Sequence, residues 1–247
     1  MWNNLNKKTF RKKAWKTLKN IIQIVFLFLT FLAIIYRWLN PPITPLMWIR
    51  FFDQVFDKER DVVFQKDRVD IQDISKNVIY AVFAGEDQKF LDHFWFDFES
   101  LYSALEYNIK NQSISLWWST ISQQTAKNVF LRPWRSFVRK WLEAYFTLLI
   151  EAFRSKERIL EVYLNIIEFW DGIYGIESAS QNYFNKPASK LTSSQAALLS
   201  ALLPNPRYYQ DNLRDYRLLR RKNKILQNMS KIKRYKDSKE FIWSLSE

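Results

Sequence analysis

The most apolar run in the chain is Ile21 to Tyr36, IIQIVFLFLTFLAIIY, which carries no charge. With Arg37, Trp38 and Leu39 it reaches 19 residues, close to the roughly 20 that an α-helix needs to cross a bilayer. Seven Lys and Arg side chains lie in residues 1–19 with no acidic residue among them. This places the N-terminus on the cytoplasmic side and everything after residue 40 outside. Asn40-Pro41-Pro42 follows where a signal peptide would carry a small-residue cleavage site, so a retained single-pass anchor is expected. Pro41, Pro42 and Pro45 predict an extended exit from the membrane.

Beyond the anchor the apolar positions recur at helical spacing. Residues 46–72 mix aromatics with charge and predict a short helix and an extended piece. Ser75 is placed to cap a helix over 74–91 with Val78, Ile79, Val82, Phe83 and Phe90 on one face. A helix over 97–110 follows, with Phe98, Leu101, Leu105 and Ile109 in register. Long amphipathic helices are predicted over 137–153 and 156–169. A turn comes next at Asp171-Gly172, then a helix over 176–183. Thr192 opens a helix over 193–203 with the capping pattern T-x-x-Q, and Pro204-Asn205-Pro206 ends it. The last helix is predicted over 216–229. From Ser230 the chain is lysine-rich and predicted to fray. No segment shows the alternation of a sheet, so the class is mainly α. The resulting division is a basic cytoplasmic tail over 1–19, an anchor over 20–39, one domain over 40–229 and a basic C-terminal tail over 230–247.

Composition narrows the chemistry. There are no cysteines and one histidine, His93, which excludes thiolate and multi-histidine metal sites. The net charge of +13 is uneven: +7 in residues 1–19, +7 in 207–247 and −1 between them. Basic ends suit a nucleic acid or an anionic membrane surface. No nucleic-acid motif is present, and the anchor favours the membrane.

The candidate chemistry lies between Trp117 and Glu143. Ser119, Thr120, Ser122, Gln123 and Gln124 are followed by Lys127, Arg132, Arg135, Arg139 and Lys140, and the stretch closes on Glu143. Hydroxyls and amides with cations suit a phosphate-bearing ligand, since donors orient the oxygens and Lys and Arg neutralise them. A polar loop leading into a solvated basic helix has the same composition. Glu86 and Asp87 lie near the C-terminal end of a predicted helix, where the dipole disfavours anions. This points to a role other than capping, although two acids on a solvated face are the commoner case.

The motifs as they stand resemble those of the peptidoglycan glycosyltransferases. Glu86-Asp87-Gln88-Lys89-Phe90, with His93 and Phe96-Asp97, is similar to the first signature of that family. Ser119 to Gln124 with Lys127-Asn128 is similar to the second, and Arg139-Lys140-x-x-Glu143 to the third. Arg158-Ile159-Leu160-Glu161-x-Tyr163-Leu164-Asn165 is similar to the fourth. Ala179, Tyr183-Phe184-x-Lys186 and Ala196 to Leu199 are similar to the fifth. The absence of a transpeptidase segment resembles the monofunctional branch.

The resemblance implies a lysozyme-like helical fold with a jaw that dips into the bilayer. It implies polymerisation of lipid II by inverting transfer from an undecaprenyl-pyrophosphate glycan to the 4-hydroxyl of the next lipid II. Glu86 would be the general base and Glu143 the second carboxylate. Asp87, Lys89, Ser119, Thr120, Gln123, Gln124, Lys127, Asn128, Arg135, Arg139 and Lys140 would contact substrate. Tyr163 and Asn165 would brace the site, and His93 would be a hydrogen-bonding partner within the first motif. No cofactor is required; family members differ over a divalent cation, Mg or Mn, for which Glu86 with Asp87 is a weak signature. Partners in a cell-wall synthesis complex are expected by analogy, and no nucleic acid is.

The departures from the family pattern share one character. Trp95, Trp117, Trp118, Trp134, Trp141 and Trp170 stand where the family usually has glycine, and the chain has 3 Gly against 11 Trp where about 7% glycine is usual. Glycine reaches positive φ and lets backbone approach a ligand; tryptophan does neither. One cause accounts for all six: a UGA codon that specifies glycine in the source, translated as tryptophan. Were the tryptophans genuine, the sequence would predict an impaired enzyme acting as a lipid II or glycan-binding scaffold.

Overall fold

The computed structural model describes residues 2–93, 106, 119–132 and 136–237, with backbone alone at 2–10, 137 and 234–237. The helix predicted over 97–110 lies largely outside the described residues, as do Trp95, Trp117, Trp118, Trp134 and Arg135. The described chain is mainly helical, and α1 (Trp2–Ile35) opens it. Its segment Arg11–Ile35 is long and apolar enough to cross a membrane, with a mean hydropathy of 2.2 in its most apolar window. Helix therefore begins within the basic tail rather than at residue 20.

The last turns of α1 dock on the body of the domain. Ala33 is buried, and its carbonyl accepts from Nη2 of Arg154 at 3.0 Å. Phe26 packs on Tyr145 with ring centroids 4.8 Å apart, and Tyr36 stacks on Phe130. A cation at the C-terminal end of a helix satisfies a carbonyl that has no intrahelical partner and opposes the dipole. The protein environment around Arg154 is dry enough that desolvation lowers its pKa to about 10.

Short helix α2 (Pro45–Phe56) follows, opened by Thr44, whose hydroxyl accepts from the Met47 amide. Helix α3 (Lys76–Glu86) is capped by Ser75, as its sequence predicts, but ends at Glu86 rather than residue 91. Asp87 is extended there because its side chain has another helix to serve. Helices α4 (Ile121–Phe130), α5 (Phe137–Phe153) and α6 (Lys156–Ile166) pack together. Further along, α7 (Ile176–Phe184), α8 (Ser193–Leu202) and a short α9 (Pro206–Tyr209) lead to α10 (Tyr216–Asp237). Helix α10 runs past residue 229, because its apolar stripe of Leu218, Ile225 and Met229 continues to Ile232, which is also buried.

The mainly α class holds, with one small sheet that the sequence pattern does not show. Strands β1 (Gln65–Lys66), β2 (Glu168–Trp170) and β3 (Ile173–Tyr174) lie in the order β1-β3-β2, with β1 parallel and β2 antiparallel to β3. Helix α6 stops at Ile166, three residues short of the prediction, because the Ile167 carbonyl accepts from the Gly175 amide across the hairpin. Gly172 turns the hairpin at φ +82°, and a Cβ there would lie 2.0 Å from the Val63 carbonyl oxygen. The sheet thus depends on a glycine that is present.

The two tryptophans described at family glycine positions sit differently. Trp141 is 79% exposed on α5, and Trp170 packs its ring on Tyr183 at 5.5 Å. Among the described non-glycine residues only Asn185 has positive φ, so neither tryptophan requires glycine's backbone freedom.

The core gathers α3, α8 and α10 on one side and α4, α5 and α6 on the other. Gly85 lets α3 approach α8: a Cβ would meet the Ser200 hydroxyl at 2.5 Å, and that hydroxyl donates to the Ala81 carbonyl at 2.9 Å. This contact fixes the end of α3, from which Glu86 projects.

Candidate active site

Helix α4 organises the site. Its N-cap is Thr120, which forms a reciprocal capping box with Gln123: the Thr120 hydroxyl accepts from the Gln123 amide, and the Gln123 side chain accepts from the Thr120 amide. Asp87 adds to this start. Its carboxylate accepts from the Ile121 amide at 3.1 Å and lies 3.0 Å from Nε2 of His93. An anion at a helix N-terminus opposes the helix dipole favourably. Asp87, expected among the substrate contacts, thus caps the next helix and is buried. Thr120 and Gln123, also expected to touch substrate, are buried and engaged in the capping box. Ser122 donates to Glu151, whose other partner is Lys156 at 2.6 Å.

One face of α4 remains for chemistry, carrying Gln124 and, one turn on, Lys127. Gln124 donates to Oε2 of Glu86 at 2.8 Å and accepts from the Tyr163 hydroxyl at 3.2 Å. Arg221, on α10, donates from Nη2 to Oε1 of Glu86 at 2.8 Å and to the Gly85 carbonyl at 3.0 Å. The Glu86 side chain is 11% exposed. Burial raises its pKa above the ordinary carboxylate value, opposed by the hydrogen bond from Gln124 and by the charges of Arg221 and Lys127. A carboxylate whose proton affinity is raised in this way is suited to act as a general base.

At the other end of that face stand cations. Burial lowers the pKa of Lys127, opposed by Glu143 and Glu86 and reinforced by Arg139 and Lys140. Glu143 is 4% exposed at its side chain and pairs with Lys140 at 2.5 Å, whereas Lys140 is 46% exposed. The Nε of Arg139 is buried without a hydrogen-bond partner. Glu143 is thus the buried partner of the more exposed Lys140, and its charge also acts on Lys127. Ser119 offers its carbonyl to Gln124 at 3.4 Å. Asn128 is half-buried in the last turns of α4, and Lys89 is exposed beyond α3.

Glu86 and Asp87 do not form a chelating pair, since the first faces Gln124 and Arg221 and the second His93 and the Ile121 amide. Among the described residues no group of three or more His, Asp or Glu side chains could hold a metal ion. Tyr163 and Asn165 brace the site: Asn165 donates to the Val69 carbonyl at 2.8 Å and accepts from its amide at 2.9 Å. Arg221 was absent from the sequence-based candidates. Its signal lay in the spacing, because Leu218, Arg221, Ile225, Met229 and Ile232 fall on one helical stripe. A charged residue in an apolar stripe requires a buried partner.

Residues 54–230 match the family model described as Transglycosylase. The chain belongs to the transglycosylase family. A Bdellovibrio bacteriovorus protein named biosynthetic peptidoglycan transglycosylase is 44% identical over 223 residues, covering 89% of this chain and 88% of its own. Proteins of the same name from Mannheimia succiniciproducens and Caulobacter vibrioides are 44% and 47% identical, covering 85% and 77% of this transglycosylase and 84% and 82% of theirs. The match of this transglycosylase to the family model spans the helices that carry Glu86, Gln124, Lys127, Glu143 and Arg221.

Proposed function

We propose that this transglycosylase is a peptidoglycan glycosyltransferase that polymerises lipid II into glycan strands. The observation that carries this reading is the division of α4's open face: a buried, hydrogen-bonded carboxylate at one end and a cation group braced by Glu143 at the other. The acceptor is the 4-hydroxyl of lipid II, whose proton passes to Glu86 as its oxygen bonds to the donor's anomeric carbon. The bond from that carbon to the pyrophosphate breaks, and its electron pair leaves with undecaprenyl pyrophosphate. Lys127, Arg139 and Lys140 meet the charge that develops there, so the leaving group needs no proton. Base and leaving group on opposite faces of the sugar give inversion.

The apolar helix α1 supports a bilayer location, which suits a lipid-linked substrate. The basic residues before it favour a cytoplasmic N-terminus and an extracytoplasmic domain. The family match and the names of the relatives favour the enzyme over the scaffold alternative, which rested on tryptophans such as Trp117 and Trp118 that lie outside the described residues. The test is incubation of the full chain with lipid II in liposomes. Muramidase-sensitive polymer and released undecaprenyl pyrophosphate are expected. Binding of lipid II without polymer would overturn the reading.

A further inference from the structure

We infer that Arg221 is a positioning residue for the proposed base, holding the Glu86 carboxylate ionised and aimed through contacts made from the far helix α10. The inference rests on the reading of Glu86 given above. Arg221 is 35% exposed at its side chain, and the carboxylate that it pairs with is 11% exposed. The same Nη2 that donates to Glu86 Oε1 also donates to the Gly85 carbonyl, so the guanidinium is tied to the backbone next to the base. Gln124 holds the other carboxylate oxygen. Among the described residues the charged and titratable groups around Glu86 are Arg221 from α10, Lys127 from α4, Tyr163 from α6 and Asp87 beside it. Burial keeps Tyr163 a neutral donor, its pKa pushed well above the ordinary value. Lys127 is shared with Glu143. Arg221 is thus the cation whose side-chain contacts go to the Glu86 carboxylate and the adjoining carbonyl. With Gln124 on one oxygen and Arg221 on the other, the remaining lone pairs of the carboxylate are presented in a fixed direction.

The function follows from location. The side-chain contacts of Arg221 go to the Glu86 carboxylate and the Gly85 carbonyl, so its loss should act through Glu86. In Arg221→Gln the polymerisation rate is expected to fall about 10- to 100-fold, less than the roughly 100- to 10,000-fold that a general base contributes, because Glu86 itself remains. KM for lipid II should change less than about two-fold, since uniform substrate binding is intact. The acid limb of the pH–rate profile should move upward by about one pH unit or more, as a carboxylate loses a neighbouring cation. Arg221→Lys keeps the charge on a shorter side chain, and its limb should fall between the two.

Rates and pH profiles of the full chain in liposomes, with thermal unfolding as a folding control, provide the test. A folded Arg221→Gln with the parent's acid limb overturns the inference, whatever its rate. Should that variant not fold, Arg221→Lys decides: a limb moved upward from the parent's supports the assignment and an unshifted limb rejects it. Glu86→Gln separates the two layers. If Glu86→Gln keeps the parent's rate and acid limb, the reading of Glu86 as base fails. If it is inactive while the Arg221 variants keep the parent's limb, only the present inference fails.

Discussion

Gln124 and Lys127 lie one turn apart on the same face of α4, yet the groups that they meet manage charge in opposite ways. At the Gln124 end a single carboxylate is enclosed by the protein, with each oxygen already hydrogen-bonded. At the Lys127 end the carboxylate is the buried member of its ion pair and the cation the exposed one: Glu143 is 4% exposed and Lys140 46%. A group that moves a proton benefits from a fixed geometry and a tuned pKa. Groups that neutralise a leaving pyrophosphate benefit from access and a surplus of donors. The difference teaches that one helix face can serve both needs when neighbours come from different elements, α10 and α6 at one end and α5 at the other.

The largest effect that would sharpen this contrast is at Lys127. Replacing it with Met should reduce polymerisation about 100- to 1,000-fold, the usual cost of removing a donor to developing charge. Its acid limb should also move upward, because the Lys127 charge helps to lower the pKa of Glu86. Steady-state rates across pH check both points.

Glu143→Gln comes next. It leaves Lys140 and Lys127 without their buried counter-charge, and a drop of about 10- to 100-fold in rate is expected, as for other oriented charge networks. The alkaline limb should respond too. Desolvation lowers the pKa of Lys127 and Glu143 raises it, so loss of Glu143 should bring deprotonation to lower pH and shift the alkaline limb downward. An unchanged limb would break the proposed link between these residues.

A smaller effect, on stability, is expected at Asp87. Its carboxylate ties His93 to the start of α4, and hydrogen bonds to charged groups contribute about 1.5–3 kcal/mol. Asp87→Ala should cost about that much in denaturant unfolding. The substitution tests whether this acid positions α4 or touches substrate: the first predicts a stability loss, and the second predicts a changed KM at full stability.

The smallest effect compares two copies of one pattern. Thr120 and Thr192 each open a helix in a capping box with a glutamine three residues on. Each Thr→Val change should cost about 1 kcal/mol of stability. Only the change at Thr120 should also slow polymerisation, because only α4 carries Gln124 and Lys127.

These residues also show what the sequence could convey. Helices 137–153 and 193–202 were legible because apolar periodicity and caps agree. The pattern at Thr192 was read as a capping box, whereas the same T-x-x-Q at Thr120 was read as a polar ligand surface. Surrounding hydroxyls and cations suggested a site, and local capping took two of those side chains. The end of α3 was misplaced because Asp87 hydrogen-bonds to a helix more than thirty residues away, which no local pattern records. At the hairpin over 168–174 the turn at Asp171-Gly172 was legible, but its first strand ends an apolar run that helical spacing also fits. Arg221 lies between Arg220 and Lys222, so only its position on the Leu218–Ile232 stripe sets it apart.

The glycine-to-tryptophan pattern stays a statement about sequence. Peptide mass spectrometry of the native protein should find glycine at 117 and 118, and tryptophan there would sink the codon explanation.

The central claim is that Glu86 takes the acceptor proton. It is tested most directly by the pH dependence of lipid II polymerisation by the full chain in liposomes, with and without Glu86→Gln. Because burial raises the pKa of Glu86 and the base must be ionised, the parent should gain activity as pH rises through a midpoint above the ordinary carboxylate range. Glu86→Gln should lose that limb and at least about 100-fold in rate. A variant that keeps both the limb and the rate would contradict the account.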